Sequence, residues 1–98
     1  MLNVDLVDAL QERIRLAPGA LIAARIRRAR RQAGLSHDRL GIAIGGVTRQ
    51  HLIKLEKAQH RPRAEMLNRI AEATGKPVDY FLVEEAGEPN PFPDTEAA

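Results

Sequence analysis

Residues 34–57 read GLSHDRLGIAIGGVTRQHLIKLEK. Two glycines, Gly45 and Gly46, separate the apolar run Leu40-Gly41-Ile42-Ala43-Ile44 from a polar cluster that turns apolar again at Leu52-Ile53-Lys54-Leu55. A glycine pair of this kind serves as a phosphate-binding loop, a hinge or the corner between two helices. The first use requires a lysine and a serine or threonine directly after the loop, and Val47-Thr48-Arg49 does not supply them. Ser36 and Thr48 each stand where a hydroxyl oxygen accepts a hydrogen bond from an orphan N–H of a helix start, which predicts helices over residues 37–44 and 49–57. At about 100° per residue, Leu52 and Leu55 share one face of the later helix with Glu56 at its edge, while Gln50, Ile53, Lys54 and Lys57 lie opposite. The stretch therefore reads as two short helices meeting at a glycine corner, the second apolar within and basic without.

Working outward, residues 3–16 place Val7, Leu10 and Ile14 at helical spacing and stop at Ala17-Pro18-Gly19. A second helix is expected over residues 20–33, with Ile22, Ile26, Ala29 and Ala33 on one face and Gly34 just past its end. Beyond the loop 58–62, Met66, Leu67, Ile70 and Ala71 define another helix ending at Thr74-Gly75. A short element over 77–82 opens with Pro77, where a missing N–H costs least. Residues 83–98 are acidic and proline-rich, with too little apolar surface to offset the entropy of ordering, and are expected to form a disordered tail. No segment has strand periodicity. The expected class is all-α, divided into an N-terminal amphipathic helix and linker (1–19), a helical domain (20–82) and a tail (83–98).

With 98 residues the chain supports one small core that buries somewhat more than ~60% of its unfolded surface. It has no cysteine, so neither disulfides nor thiolate-bound metal contribute. No apolar stretch approaches the ~18 residues of a membrane span, and the first residues lack the basic-then-apolar pattern of a signal peptide, so a soluble cytoplasmic protein with no membrane partner is expected. The net charge of +2 conceals an asymmetry: residues 20–63 hold eleven basic side chains against Asp38 and Glu56, a local +9, whereas five acids and no base follow Val83. A basic block of this kind is the footprint of a polyanion, nucleic acid first and an anionic membrane second, or else a solvated helix face. Three aromatic residues are too few for a single-strand stacking platform.

Two helices around Gly45-Gly46-Val47 in a basic all-helical domain form a helix-turn-helix pattern. Arg49 and Gln50 occupy the first turn of the second helix, where outward N–H groups favour a phosphate. In a major groove, arginine bonds O6 and N7 of guanine in bidentate fashion, and glutamine N6 and N7 of adenine. The stretch from Ile22 to Leu82 resembles the DNA-binding domain of the phage repressor and Cro (XRE, lambda repressor-like) family. The resemblance is carried by Ile26-Arg27-Arg28-Ala29-Arg30-Arg31, Gly34-Leu35-Ser36, Leu40-Gly41, Gly45, Val47-Thr48-Arg49-Gln50, Leu52, Leu55 and Glu56. It continues in Arg61-Pro62, in residues 67–75 and in Val78-Asp79-Tyr80-Phe81-Leu82. The family pattern has alanine more often than Gly41, and an apolar residue where His51 stands. Leu52 is the apolar residue here, so the turn carries one extra residue.

The resemblance implies a five-helix domain preceded by the extra N-terminal helix, and double-stranded DNA as partner. It implies base reading by Arg49, Gln50 and Lys54, with Ile53 placed to touch a thymine methyl. It implies phosphate contacts from His37 and the loop residues Gln59, His60 and Arg61, with Thr48, His51 and Lys57 flanking the recognition helix. It implies an interior ion pair between Arg30 and Glu56, and the helical wheel sets Arg30 beside the Ile22 and Ile26 face. Ser36 and Thr48 read as caps rather than nucleophiles, and the three histidines lack ligand spacing. No cofactor, metal or enzymatic activity is expected. The favoured function is a sequence-specific regulator, repressor-like, binding a pseudopalindrome as a homodimer; the alternative is an antitoxin-type protein whose N-terminal helix or acidic tail masks a protein partner. The Val7, Leu10 and Ile14 stripe is expected to mediate self-association.

Overall fold

A computed structural model describes residues 4–84, in which six helices are joined by short turns: α1 (Val4–Leu16), α2 (Gly19–Gln32), α3 (His37–Ala43), α4 (Arg49–Glu56), α5 (Ala64–Thr74) and α6 (Asp79–Leu82). No strand occurs among the described residues, and the fold is all-α. Apart from Val83 and Glu84, the expected acidic tail lies outside the described residues.

Helix α5 packs against α1, α2 and α3, and α2 also packs against α4 and α6. Ile22, Ile26, Leu40, Ile44, Leu52, Leu55, Leu67, Ile70 and Phe81 form the centre of one continuous core, each almost wholly removed from solvent. In the apolar run 40–44, only Leu40 and Ile44 point inward with Gly41, and Ile42 is exposed. The predicted Ala33 contact is likewise absent, because the helix ends at Gln32 and Ala33 faces solvent.

The helix termini follow local chemistry. Ser36 accepts from the Arg39 N–H at 3.0 Å and Thr48 from the His51 N–H at 3.2 Å. Gly34, at φ 73°, ends α2 by a pair of bonds, its own N–H to Arg31 and the Leu35 N–H to Arg30. The same arrangement ends α4, except that the left-handed residue is Ala58 at φ 62°, a conformation that disfavours any side chain by about 1–2 kcal/mol. That strain sits where the chain leaves the second helix of the motif for the loop 59–61.

Helix α1 is an integral part of the domain. Leu10, Ile14 and Ala17 are buried and Val7 packs beside them, so the stripe expected to drive self-association is covered by the chain's own core. The side chain of Gln11 accepts from the Ala64 N–H and so caps α5 from a distance, where the local Arg63 makes no capping bond. Arg25 is also internal. Its guanidinium lies 4.8 Å from the Tyr80 ring centroid and donates to the carbonyls of Tyr80, at 2.7 Å, and Glu84. Lys76 approaches the same ring to 4.9 Å, and burial, with the Arg28 charge adding to it, holds its ammonium below the usual lysine value.

Candidate nucleic-acid interface

The corner between α3 and α4 is closed by hydrogen bonds rather than hinged. Gly45 (φ 106°) donates to Ile42, while Gly46 (φ 91°) and Val47 both donate to the Gly41 carbonyl, at 2.8 and 3.0 Å. Two successive left-handed residues are what the extra position of the turn requires, and glycine adopts that conformation without steric cost. They fold the Val47 carbonyl back onto α3 so closely that a Cβ on Gly41 would lie 2.1 Å from its oxygen. Arg69, on α5, donates to the Ile44 carbonyl at 3.4 Å and completes the corner from behind.

This corner seats α4 by Leu52 and Leu55, which are buried, and turns Arg49, Gln50, His51, Lys54 and Lys57 to solvent. Ile53 is half-buried at the margin of that face rather than at its centre. Thr48 is exposed, its oxygen already engaged as the cap. Gln59 and His60 are exposed on the following loop, and the His60 ring stacks on that of His51, with centroids 5.9 Å apart and 24° between planes. Arg49, Gln50, His51, Lys54 and His60 are thus all exposed on α4 and the loop that follows it.

Two of the residues expected at phosphates make polar contacts within the molecule, His37 half-buried and Arg61 exposed. His37 is turned to Glu56, its Nε2 lying 3.2 Å from Oε1, because Glu56 is buried on the Arg30 side and draws polar hydrogen inward. Arg61 donates through Nη1 to the carbonyls of Ile14 and Ala17, both at 2.7 Å, and so satisfies the C-terminal end of α1. Arg61→Ala is accordingly expected to destabilise the fold by about 2 kcal/mol, the scale of charge-assisted hydrogen bonds to orphan carbonyls. Thermal unfolding followed by circular dichroism checks this; an unchanged midpoint would return Arg61 to the surface set. Of the eleven basic residues in the block, Arg25 and Arg30 are turned to the interior, which lowers the surface charge that composition alone suggested, while Arg61 stays exposed with its guanidinium bonded to the end of α1.

Arg30 meets Glu56 as expected, with Nε 2.7 Å from Oε2 and Nη2 3.3 Å from Oε1. The pair joins α2 to α4 beneath the exposed face. The arrangement as a whole is a helix-turn-helix, and residues 26–81 match the model of the family described as Helix-turn-helix. The chain belongs to that family, in its XRE, lambda repressor-like form.

Relatives within this DNA-binding, transcription-regulating family agree in extent. Over 64 residues the chain is 39% identical to an uncharacterized HTH-type transcriptional regulator of Methanothermobacter thermautotrophicus, a match covering 63% of this chain and 91% of that protein. It is 33% identical over 67 residues to uncharacterized HTH-type transcriptional regulators of Sinorhizobium medicae and Rhizobium meliloti, covering 68% of this chain. The chain spans about half the length of these last two, 48% in each case. Among the described residues no helix is long and apolar enough to cross a membrane, and no three His, Asp or Glu side chains converge as a metal site.

One contact of this helix-turn-helix was not anticipated. Asp38, the second residue of α3, accepts from Arg49, the first residue of α4, at 2.9 Å to Nη2 and 3.3 Å to Nε. The only hint in the sequence was an acid standing in an otherwise basic block.

Proposed function

We propose that this helix-turn-helix protein binds a specific double-stranded DNA sequence with α4 in the major groove, as a homodimer on a pseudopalindrome, and represses transcription there. The observation that carries the reading is the division of α4. Leu52 and Leu55 fix the helix to the core, while Arg49, Gln50 and Lys54 stand exposed on the other side, with Arg49 and Gln50 at the positive end of the helix. A helix held so rigidly and clothed in bidentate donors suits base-edge reading. Arg49, Gln50 and Lys54 are the proposed readers, with Ile53 at their margin, and Thr48, His51, Lys57, Gln59 and His60 are the proposed phosphate contacts. The uncharacterized regulators named above share this part of the chain, which supports the same role.

Arg49→Ala or Gln50→Ala is expected to cost about 1–3 kcal/mol on the preferred site and to relax the base preference there. Lys57→Ala is expected to weaken all duplexes alike and to reduce the salt slope by about one. Binding isotherms on selected and random duplexes across a salt series measure both. Three variants with indistinguishable profiles on the two duplexes would overturn the assignment of α4. Half-sites about one helical turn apart would fit a twofold pair, and sedimentation of the complex on one and two half-sites gives the stoichiometry. In the antitoxin-type alternative, α1 would meet a partner through its outer face, where Leu6 and Leu16 are exposed, because Leu10 and Ile14 are buried in this chain.

A further inference from the structure

We infer that Asp38 is a positioning residue for Arg49, holding its guanidinium so that the outer edge reads a guanine and fixing the specificity of the base pair beneath the start of α4. The inference rests on the proposed docking of α4.

The bond pattern carries it. A guanidinium has two edges that can grip a pair of acceptors, one formed by Nε and Nη2 and the other by Nη1 and Nη2. Asp38 occupies the first edge with both carboxylate oxygens. Nη2 has two hydrogens, one on each edge, so the outer edge keeps two parallel N–H groups. That is the fork that matches O6 and N7 of guanine. Adenine puts the N6 amino group where guanine has O6, so a guanidinium held edge-on meets a donor and cannot swing aside to escape it.

Charge and exposure argue the same way. The side chains of Arg49 and Asp38 are 56% and 60% exposed, so the pair gives the fold little. Of the two acids in the block 20–63, Glu56 is buried against Arg30, which leaves Asp38 as the block's exposed carboxylate. A carboxylate there repels phosphate and lowers affinity for DNA in general. Its effect on a read base is the opposite: an unheld arginine loses rotamer freedom on reaching a base edge, and one braced from the neighbouring helix has lost it beforehand.

Asp38 therefore produces two changes of opposite sign, which makes it separable from a residue that only repels or only stabilises. The test selects the preferred duplex of the full-length wild-type chain from a randomised pool, then measures wild type, Asp38→Ala, Asp38→Asn and Arg49→Ala on that duplex. Each is also measured on duplexes with every single base pair replaced, and on random sequence. Arg49→Ala is expected to erase the preference at one G·C pair. Both Asp38 variants are expected to flatten the preference at that same pair by about five- to twentyfold, and at no other. On random duplex they are expected to bind a few-fold tighter, with melting within a few degrees of wild type. Asp38 variants that keep the full preference while binding every duplex more tightly would overturn the positioning role and leave the docking of α4 standing. An Arg49→Ala profile identical to wild type would overturn both, since Arg49 would then read no base.

Discussion

Gly41→Ala is expected to lower the melting midpoint by about 10 °C or more and to remove DNA binding even where the variant remains folded. The added Cβ would lie 2.1 Å from the Val47 carbonyl oxygen and 3.2 Å from its carbon. Both are backbone atoms, and neither can retreat independently, because the Gly46 and Val47 N–H groups are bonded to the Gly41 carbonyl. Alanine gains about 1 kcal/mol of helix propensity over glycine, which opposes the clash. Overpacking of a rigid site costs about 1–3 kcal/mol and more when backbone must move, so the clash wins. The movement would carry Thr48 and the whole start of α4 with it. Gly46→Ala is the control: nothing lies within 4 Å of its added Cβ, and only the left-handed φ of 91° penalises it, by about 1–2 kcal/mol. Circular dichroism melts of the two variants separate steric from conformational cost. Equal midpoints for Gly41→Ala and wild type would mean that the Val47 carbonyl does not approach α3 this closely.

The same geometry explains a departure from the family pattern, in which alanine commonly occupies the position of Gly41. The extra left-handed residue folds Val47 back over α3, and only a residue without a Cβ fits beneath it. The additional glycine in the turn and the glycine in the helix are two halves of one change. Deleting Gly46 from the Gly41→Ala variant is therefore expected to recover part of the lost stability.

What could be read from residue order was whatever is decided within a few residues. Ser36, Thr48, Gly34 and Gly75 mark helix ends through bonds to neighbours three to five positions away, and these ends lie where the residue types placed them. The two faces of α4 follow from the spacing of Leu52 and Leu55 alone. Arginine roles were legible only in part. The resemblance and the helical wheel pointed Arg30 at Glu56, but Arg25 and Arg61 sit in the same basic block with Arg27 and Arg49, and their acceptors come from Tyr80 and Glu84 and from Ile14 and Ala17. A guanidinium is long enough to satisfy carbonyls of a distant segment, and nothing nearby in the chain announces it. The Gln11 cap on α5 was hidden for the same reason, its partner being 53 positions away. Ala58 carried no signal at all, because a left-handed alanine looks like any helix-forming alanine.

Arg30→Ala is the second large effect expected, a loss of about 3 kcal/mol, or roughly 12–20 °C in the midpoint. The Arg30 and Glu56 side chains are only 12% and 7% exposed, so removing the guanidinium leaves a carboxylate that water barely reaches. His37 remains within 3.2 Å of Oε1, but a single ring nitrogen replaces two guanidinium contacts, and the Leu35 carbonyl also loses its 2.9 Å donor. The loss measures the stranded charge rather than the strength of the pair, since a buried ion pair roughly breaks even against well-packed apolar groups. The double variant Arg30→Met/Glu56→Leu is accordingly expected to melt close to wild type. Its DNA binding discriminates further: Arg30, His37 and Glu56 belong to α2, α3 and α4, so the cluster ties α4 to both of the helices before it. A double variant that is stable but has lost base preference would assign the cluster to aiming the recognition helix. If instead Arg30→Ala itself melts with wild type, Leu52 and Leu55 alone hold α4, and the cluster contributes no stability.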